Sequence, residues 1–113
     1  MDASLAILKS AKQQSLYDSL IHQLNKDFVR AGIDSNFSTE EKPEALARNL
    51  IACIYEVIIS DFEKYLNLLY AIDVSEARIK ELPAQFVHEL AEEVAILILE
   101  REFLKVSFKN KHE

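Results

Sequence analysis

Pro43-Glu-Ala-Leu-Ala-Arg-Asn-Leu-Ile-Ala-Cys-Ile-Tyr-Glu-Val-Ile-Ile-Ser-Asp-Phe-Glu-Lys-Tyr-Leu-Asn-Leu-Leu-Tyr-Ala-Ile72 runs from a proline to Asp73 with no glycine and no second proline. Glycine and proline are the residues that interrupt helices, so a stretch this long without either is satisfied only as helix. Proline suits the first helical position, where its missing N–H has no partner to lose. At 100° per residue the apolar arc is wide. Leu46, Leu50, Cys53, Val57 and Leu68 fall on one edge and Ile54, Ile58, Tyr65 and Ile72 in the middle. Ile51, Tyr55, Ile59, Phe62, Leu66 and Leu69 fall on the other edge. A helix apolar over more than half its circumference needs neighbours on two sides, which makes this segment the expected hub of a bundle.

The rest of the chain is punctuated as sparsely. The sole glycine, Gly32, and the second proline, Pro83, divide what lies before and after the hub. A first helix is predicted from about Ala3 to Ala31, with Tyr17, Leu20, Ile21, Leu24, Phe28 and Ala31 at the 3–4 spacing of one face. Gly32 supplies its left-handed end. Upstream of Ser15 the apolar residues Leu5, Ile7 and Leu8 scatter around the wheel, so residues 1–15 are expected to pack loosely or away from the main stripe. Residues 33–42 read as a polar loop with Ile33 and Phe37 free to plug the core. Ser38 with Glu41 forms a capping signature there, and we favour a short turn at Ser38 with the main helix starting at Pro43. Asp73-Val-Ser-Glu76 signals a short helix to about Leu82. A last helix is predicted from Pro83 to about Phe108, its main face being Phe86, Val87, Leu90, Ala91, Val94, Leu97, Ile98, Leu104 and Phe108. The predicted fold is all-α: one domain over residues 1–113, a helical bundle of three long helices plus one short connecting helix.

Composition narrows the classes of function. A chain of 113 residues buries about two-thirds of its unfolded surface unaided by disulfide or metal. Its net charge of −6 repels nucleic-acid phosphates and anionic lipid, so neither nucleic acid nor membrane is an expected partner. The single cysteine, Cys53, cannot form an internal disulfide, the N-terminal apolar run is too short for a signal peptide, and the run Val94 to Leu99 is too short to span a bilayer. These features point to the cytoplasm.

Three pieces, Leu16-Tyr-Asp-Ser-Leu-Ile-His-Gln-Leu-Asn-Lys-Asp-Phe28, Asp61-Phe-Glu-Lys-Tyr-Leu-Asn-Leu-Leu-Tyr-Ala-Ile-Asp-Val-Ser-Glu76 and Leu97-Ile-Leu-Glu-Arg-Glu102, resemble a group of small bacterial helical proteins with no established activity. The resemblance covers most of the chain from Leu16 onward. It implies a bacterial cytoplasmic protein and says nothing of chemistry.

No catalytic constellation emerges. His22 follows Asp18 by four residues and His88 precedes Glu92 by four, but neither has the glutamate three residues before it that a helical di-metal site requires. No metal or other cofactor is therefore expected. Cys53 lies on an apolar helix edge with no local histidine, and one glycine cannot build a phosphate loop. Arg48, Arg78 and Arg101 lack the nearby histidine of small helical nucleases, His112 falling beyond the last helix. Two charges do break the apolar pattern: Asp61 in the middle of the hub arc and Arg101 in the main face of the last helix. Each is expected to be buried with a partner, as a structural network or, alternatively, as part of a ligand site. The last helix also carries a second stripe, Ile96, Leu99, Phe103 and Val106, on the face away from the first. A second copy of the chain would cover it as a homodimer, or the segment bearing Leu5, Ile7 and Leu8 would fold back over it.

The function expected on these grounds is that of a non-enzymatic interaction module that self-associates or binds another protein. The alternatives are a small-ligand or metal-dependent helical enzyme or sensor around Asp61 and Arg101, with Tyr55, Tyr65 and Tyr70, and an acidic antitoxin or immunity-like partner of a basic protein.

Overall fold

A computed structural model describes residues 2–111. Among them there are six helices and no strand: α1 (Asp2–Gln13), α2 (Tyr17–Arg30), α3 (Pro43–Ser60), α4 (Phe62–Ile72), α5 (Glu76–Lys80) and α6 (Val87–Lys111). The all-α reading holds. The count of three long helices and one short one does not, because two of the expected long helices are each broken once.

The first break is at Ser15, whose φ of +60° is left-handed. Ahead of it Leu16 N donates back to Ala11 O at 2.8 Å, closing α1. The apolar residues before and after this point lie on different faces of any continuous helix. Interrupting the helix resets the phase, so Leu8 and Ala11 of α1 and Leu16, Tyr17, Leu20 and Ile21 beyond it are all buried. Residues 2–13 are thus an integral helix, not a loose end. α2 stops at Gly32 (φ +84°) in a Schellman motif: Gly32 N donates to Val29 O and Ile33 N to Phe28 O, both at 2.9 Å.

The connection from α2 to α3 is fastened to α2 by side chains. Asn25 Nδ2 donates to Phe37 O and Phe37 N donates to Asn25 Oδ1, both at 2.9 Å. The Phe37 ring meets Phe28 edge-on, with centroids 5.2 Å apart, and Tyr17 Oη donates to Glu41 O at 2.6 Å. Ser38 Oγ accepts from Glu40 N, which makes a turn there, and the helix proper starts at Pro43.

The second break is at Asp61 (φ −155°, ψ 84°). Asp61 N donates to Val57 O, ending α3, while its Oδ1 accepts from Lys64 N at 3.1 Å and caps α4. Aspartate offers the backbone this alternative to continuing the helix, and Ser60 Oγ, donating to Glu56 O, competes for backbone in the same turn. The bend divides the wide apolar arc. α3 buries Leu46, Ala47, Leu50, Ile54 and Val57, and α4 buries Tyr65, Leu68, Leu69 and Ile72.

α6 begins at Val87 and not at Pro83. Leu90 N bonds to Phe86 O, and residues 82–85 run as an irregular link after α5. α6 packs against α1, α2, α3 and α4, and the expected hub, residues 43–72, packs through α3 and α4 against α1, α2 and α6, so the two segments share the centre of the bundle. Its inward side chains are Ala91, Val94, Ala95, Ile98, Leu99, Glu102 and Val106, whereas Phe86, Val87, Leu104 and Phe108 of the expected main face are exposed. The face is therefore turned by about one residue from the predicted phase.

Because Leu8 is fully buried, its truncation tests whether α1 belongs to the core. Leu8→Ala is expected to cost about 2–5 kcal/mol in chemical denaturation. A loss below about 0.5 kcal/mol would mean that α1 detaches without consequence.

Candidate functional site

The residues singled out from the sequence do not assemble into one site. Asp61 is half-buried at the α3–α4 junction and is used as the cap of α4. Arg101 is also half-buried. Its Nη2 donates to Asp73 Oδ2 at 3.1 Å, and since the Asp73 side chain is 80 % exposed the pair is open to water. The one-residue turn of α6 explains this: Glu102, not Arg101, occupies the centre of the inward face.

The second stripe of α6 is covered from within the chain. Leu99 and Val106 are buried, Ile96 and Phe103 are half-buried, and α1 lies along α6. Ala6, Ile7 and Ser10 of α1 face Phe103, Leu104 and Ser107 across a shallow groove. Leu99 and Val106 are consequently not presented to a second copy.

His22 and His88 are exposed, the latter stacked on Phe86 with centroids 6.2 Å apart; His112 lies outside the described residues. Among the described residues no group of three or more His, Cys, Asp or Glu side chains is arranged to hold a metal ion. Burial pushes the Cys53 thiol up from its ordinary value, away from the thiolate form that a nucleophile needs.

Two charged residues that sequence reasoning passed over are the most deeply buried. Asp27 of α2 and Glu102 of α6 are both 0 % exposed. Lys105, one turn after Glu102, bridges them: its Nζ donates to Asp27 Oδ2 at 3.0 Å and stands 3.2 Å from Glu102 Oε1, out of hydrogen-bond alignment. Gln23 Nε2 donates to the same Asp27 oxygen at 3.2 Å, and Arg30 Nη1 reaches Oδ1 at 3.5 Å. As a carboxylate Glu102 would leave both oxygens without a hydrogen bond. Burial, and next the hydrogen bond to Asp27 and its negative charge, push Glu102 up to about 8 against the pull of Lys105. Burial also pushes Asp27 up, but hydrogen bonds with Glu102, Lys105 and Gln23 overcome it and hold Asp27 below its ordinary value. At neutral pH burial and the charge of Asp27 thus favour a proton on Glu102, while Asp27 is held as the carboxylate. The sequence signal was present: Asp27 follows Leu20 by seven and Leu24 by three, and Glu102 follows Leu99 by three and precedes Val106 by four. Perturbed acids often mark active sites, but these two are sealed from any substrate, and their work is to join α2 to α6.

Besides Phe86, just ahead of α6, and Val87, Leu104 and Phe108 of α6, the molecule presents outward apolar side chains on both sides of the α3–α4 bend. Tyr55, Ile59, Phe62, Leu66 and Tyr70 are all exposed, Phe62 by 57 % and Tyr70 by 79 %. Within each helix they share a face, Tyr55 and Ile59 four residues apart on α3 and Phe62, Leu66 and Tyr70 four apart on α4. The sequence reading assigned the first four to an edge of the hub core. The bend at Asp61 is the reason they lie outside: once α4 turns Tyr65, Leu68, Leu69 and Ile72 inward, Phe62, Leu66 and Tyr70 have no interior left to enter. Phe62 leans on Tyr65, with centroids 5.3 Å apart. Beyond Tyr70 the row continues into a groove of about 290 Å³ between α4 and residues 73–76, lined by Leu66, Leu69, Tyr70 and Val74 with Asp73 and Glu76 at its mouth. Single exposed apolar residues are ordinary, but Phe62, Leu66 and Tyr70 line one outer face of α4 and lead into this groove.

Compared with protein-family models, curated proteins and solved structures, the chain finds no match.

The buried cluster predicts an unusual dependence of stability on pH. Unfolded, Glu102 ionises near its ordinary 4.5; folded, it holds its proton to about 8. Between these values only the unfolded chain loses the proton, so the contribution of Glu102 falls with rising pH by at most about 1.4 kcal/mol per unit and levels off above the folded value. Glu102→Gln keeps a donor toward Asp27 and removes the titration. It should match the parent near pH 4 and exceed it by about 1–4 kcal/mol at pH 8. Urea unfolding at the two pH values measures this, and an equal difference at both would refute the shared proton. At the other candidate, Asp61→Ala should cost about 1 kcal/mol, the ordinary value of a lost helix cap, and not the 3–5 kcal/mol of a broken buried ion pair.

Proposed function

We propose that the chain is a non-enzymatic protein-interaction module that docks another protein on the outer face of α3 and α4. The observation that carries this reading is the exposed row Tyr55, Ile59, Phe62, Leu66 and Tyr70. Leaving such side chains in water forgoes a favourable transfer of roughly 1.5–3 kcal/mol for each one fully buried, and large exposed apolar patches usually mark a contact. Aromatic residues with an apolar body and a polar tip, such as Tyr55 and Tyr70, are favoured at protein interfaces.

The enzyme or sensor alternative draws little support, since Asp61 is committed to capping a helix and Arg101 to Asp73. The expected setting is a bacterial cytoplasm, in line with the lone Cys53 and the family resemblance. No helix among the described residues is long and apolar enough to cross a membrane.

Site-directed photocrosslinking in cells tests the docking face. With p-benzoylphenylalanine in place of Phe62 a discrete adduct is expected, and with the same probe in place of the exposed Gln13 none. An adduct of twice 13.0 kDa would identify a second copy as the occupant. No adduct at position 62, or equal adducts at both positions, would refute the docking face. Tyr70→Ser should abolish the contact while changing stability by less than about 0.5 kcal/mol, as for other surface substitutions.

A further inference from the structure

Cations are outnumbered in this chain, 13 against 19 acidic residues, and several are spent on carboxylates: Arg30, Arg78, Arg101 and Lys105 each hold one. Lys26 and Lys109 form no ion pair among the described residues, yet they line one cleft, of about 270 Å³, between α2 and α6. Ser19, His22 and Gln23 complete its α2 wall and Asn110 its α6 wall, and the buried Val106 is its one apolar lining residue. Helical spacing explains the convergence. Residues 19, 22, 23 and 26 share one face of α2, and residues 106, 109 and 110 share one face of α6. The packing of α2 on α6, tied by Lys105 to Asp27, sets these faces beside each other.

No carboxylate among the described residues lines the cleft. Asp18 is exposed but sits about a quarter-turn round α2 from the shared face. Asp27 and Glu102 are fully buried, and Asp27 is matched by Lys105, Arg30 and Gln23. Lys109 stands in the last turn of α6, where a cation complements the helix dipole, so alone it signifies nothing. Lys26 and His22 lie in the interior of α2 and have no such role. Exposed lysines are ordinary singly; here one from each helix opens onto a shared cleft with further polar groups and no counter-charge.

The donor set selects the ligand. It offers two ammonium groups, an imidazole, a hydroxyl and an amide, and no arginine. The planar fork of arginine matches a planar carboxylate, whereas the ammonium of lysine is a compact point charge that serves phosphate well. A phosphate group points its oxygens tetrahedrally and so takes donors from both walls at once. The cleft is smaller than the roughly 300–1,000 Å³ of pockets that enclose drug-sized ligands, which leaves room for one compact group. A polyanion is disfavoured, because beyond this patch the chain, with its net charge of −6, repels it. We propose that the α2–α6 cleft binds a single phosphate group, carried by a small molecule or present as the free ion.

NMR titration of the isotope-labelled full-length chain tests this with four salts at matched ionic strength: sodium chloride, acetate, inorganic phosphate and glycerol 2-phosphate. The two phosphates should give saturable shifts confined to the amides of residues 19–26 and 106–110. Lys26→Gln and Lys109→Gln should each weaken that binding about tenfold, and Lys80→Gln, on α5 outside the cleft, by less than about twofold. All three alter exposed positions, and thermal unfolding verifies that each is folded. Tighter binding of glycerol 2-phosphate would identify a phosphorylated small molecule as the ligand, and tighter binding of inorganic phosphate the free ion; both uphold the site. Equal shifts with acetate would overturn the choice of phosphate, and equal shifts with sodium chloride would reduce the effect to screening. Equal weakening by Lys80→Gln would assign it to bulk charge, and the absence of saturable shifts with either phosphate would end the proposal outright. None of these results bears on the α3–α4 docking face, which shares no residue with the cleft.

Discussion

α6 carries apolar side chains on nearly every side, and the remaining helices are arranged by the need to cover it. Ala91 and Ala95 allow neighbours to approach closely, and Val94, Ile98, Leu99 and Val106 fill the space between. One partner helix covers one stripe, so a helix of this kind needs several. α3 alone cannot serve, and α1, α2 and α4 each take a share. The breaks at Ser15 and Asp61 are what make this possible. They turn two long segments into four shorter ones that approach α6 from different directions.

Within this packing the Asp27–Glu102–Lys105 cluster is the costly element. A buried ion pair replaced by well-packed apolar residues is often neutral or more favourable, so the cluster does not earn its place through stability alone. Its geometry is directional: Asp27 receives Lys105 and Gln23 from two different helices. A slip of α2 along α6 would leave two carboxyl groups buried without their partners. Apolar contacts between the same helices tolerate such a slip far better, so the cluster is best understood as the device that sets their register.

The features legible in the sequence are those decided locally. Gly32 ends α2 because its left-handed φ is demanded by the Schellman bonds, and Ile33 and Phe37 are buried because they are the apolar residues of a polar loop. α4 ends at Ile72, where Asp73 adopts the left-handed cap. The features that were not legible depend on what lies opposite. Asp61 can sit inside a helix or cap one, and only the competition for α6 decides between them. Glu102 shares the stripe of Leu99 and Val106, but only packing decides which protein element faces that stripe, and the predicted main face centres one residue away on Arg101. The outward row was visible as apolar residues, but its exposure follows from the bend and not from the residues themselves.

The bend at Asp61 also makes the molecule a candidate for exchange between copies. From Pro43 to Ile72 the chain has the composition of one straight helix, and a capping hydrogen bond from Lys64 N to Asp61 Oδ1 helps hold it folded back. If the bend straightens, α4 swings away with Tyr65, Leu68 and Ile72 and vacates its seat against α2 and α6. The α4 of another straightened chain has the shape to fill that seat, and its own seat receives the first in return. Such a domain-swapped pair would keep the contacts of α4 with α2 as interchain ones and give up those between α3 and α4 at the bend. Its one new structural element would be a continuous helix through residue 61.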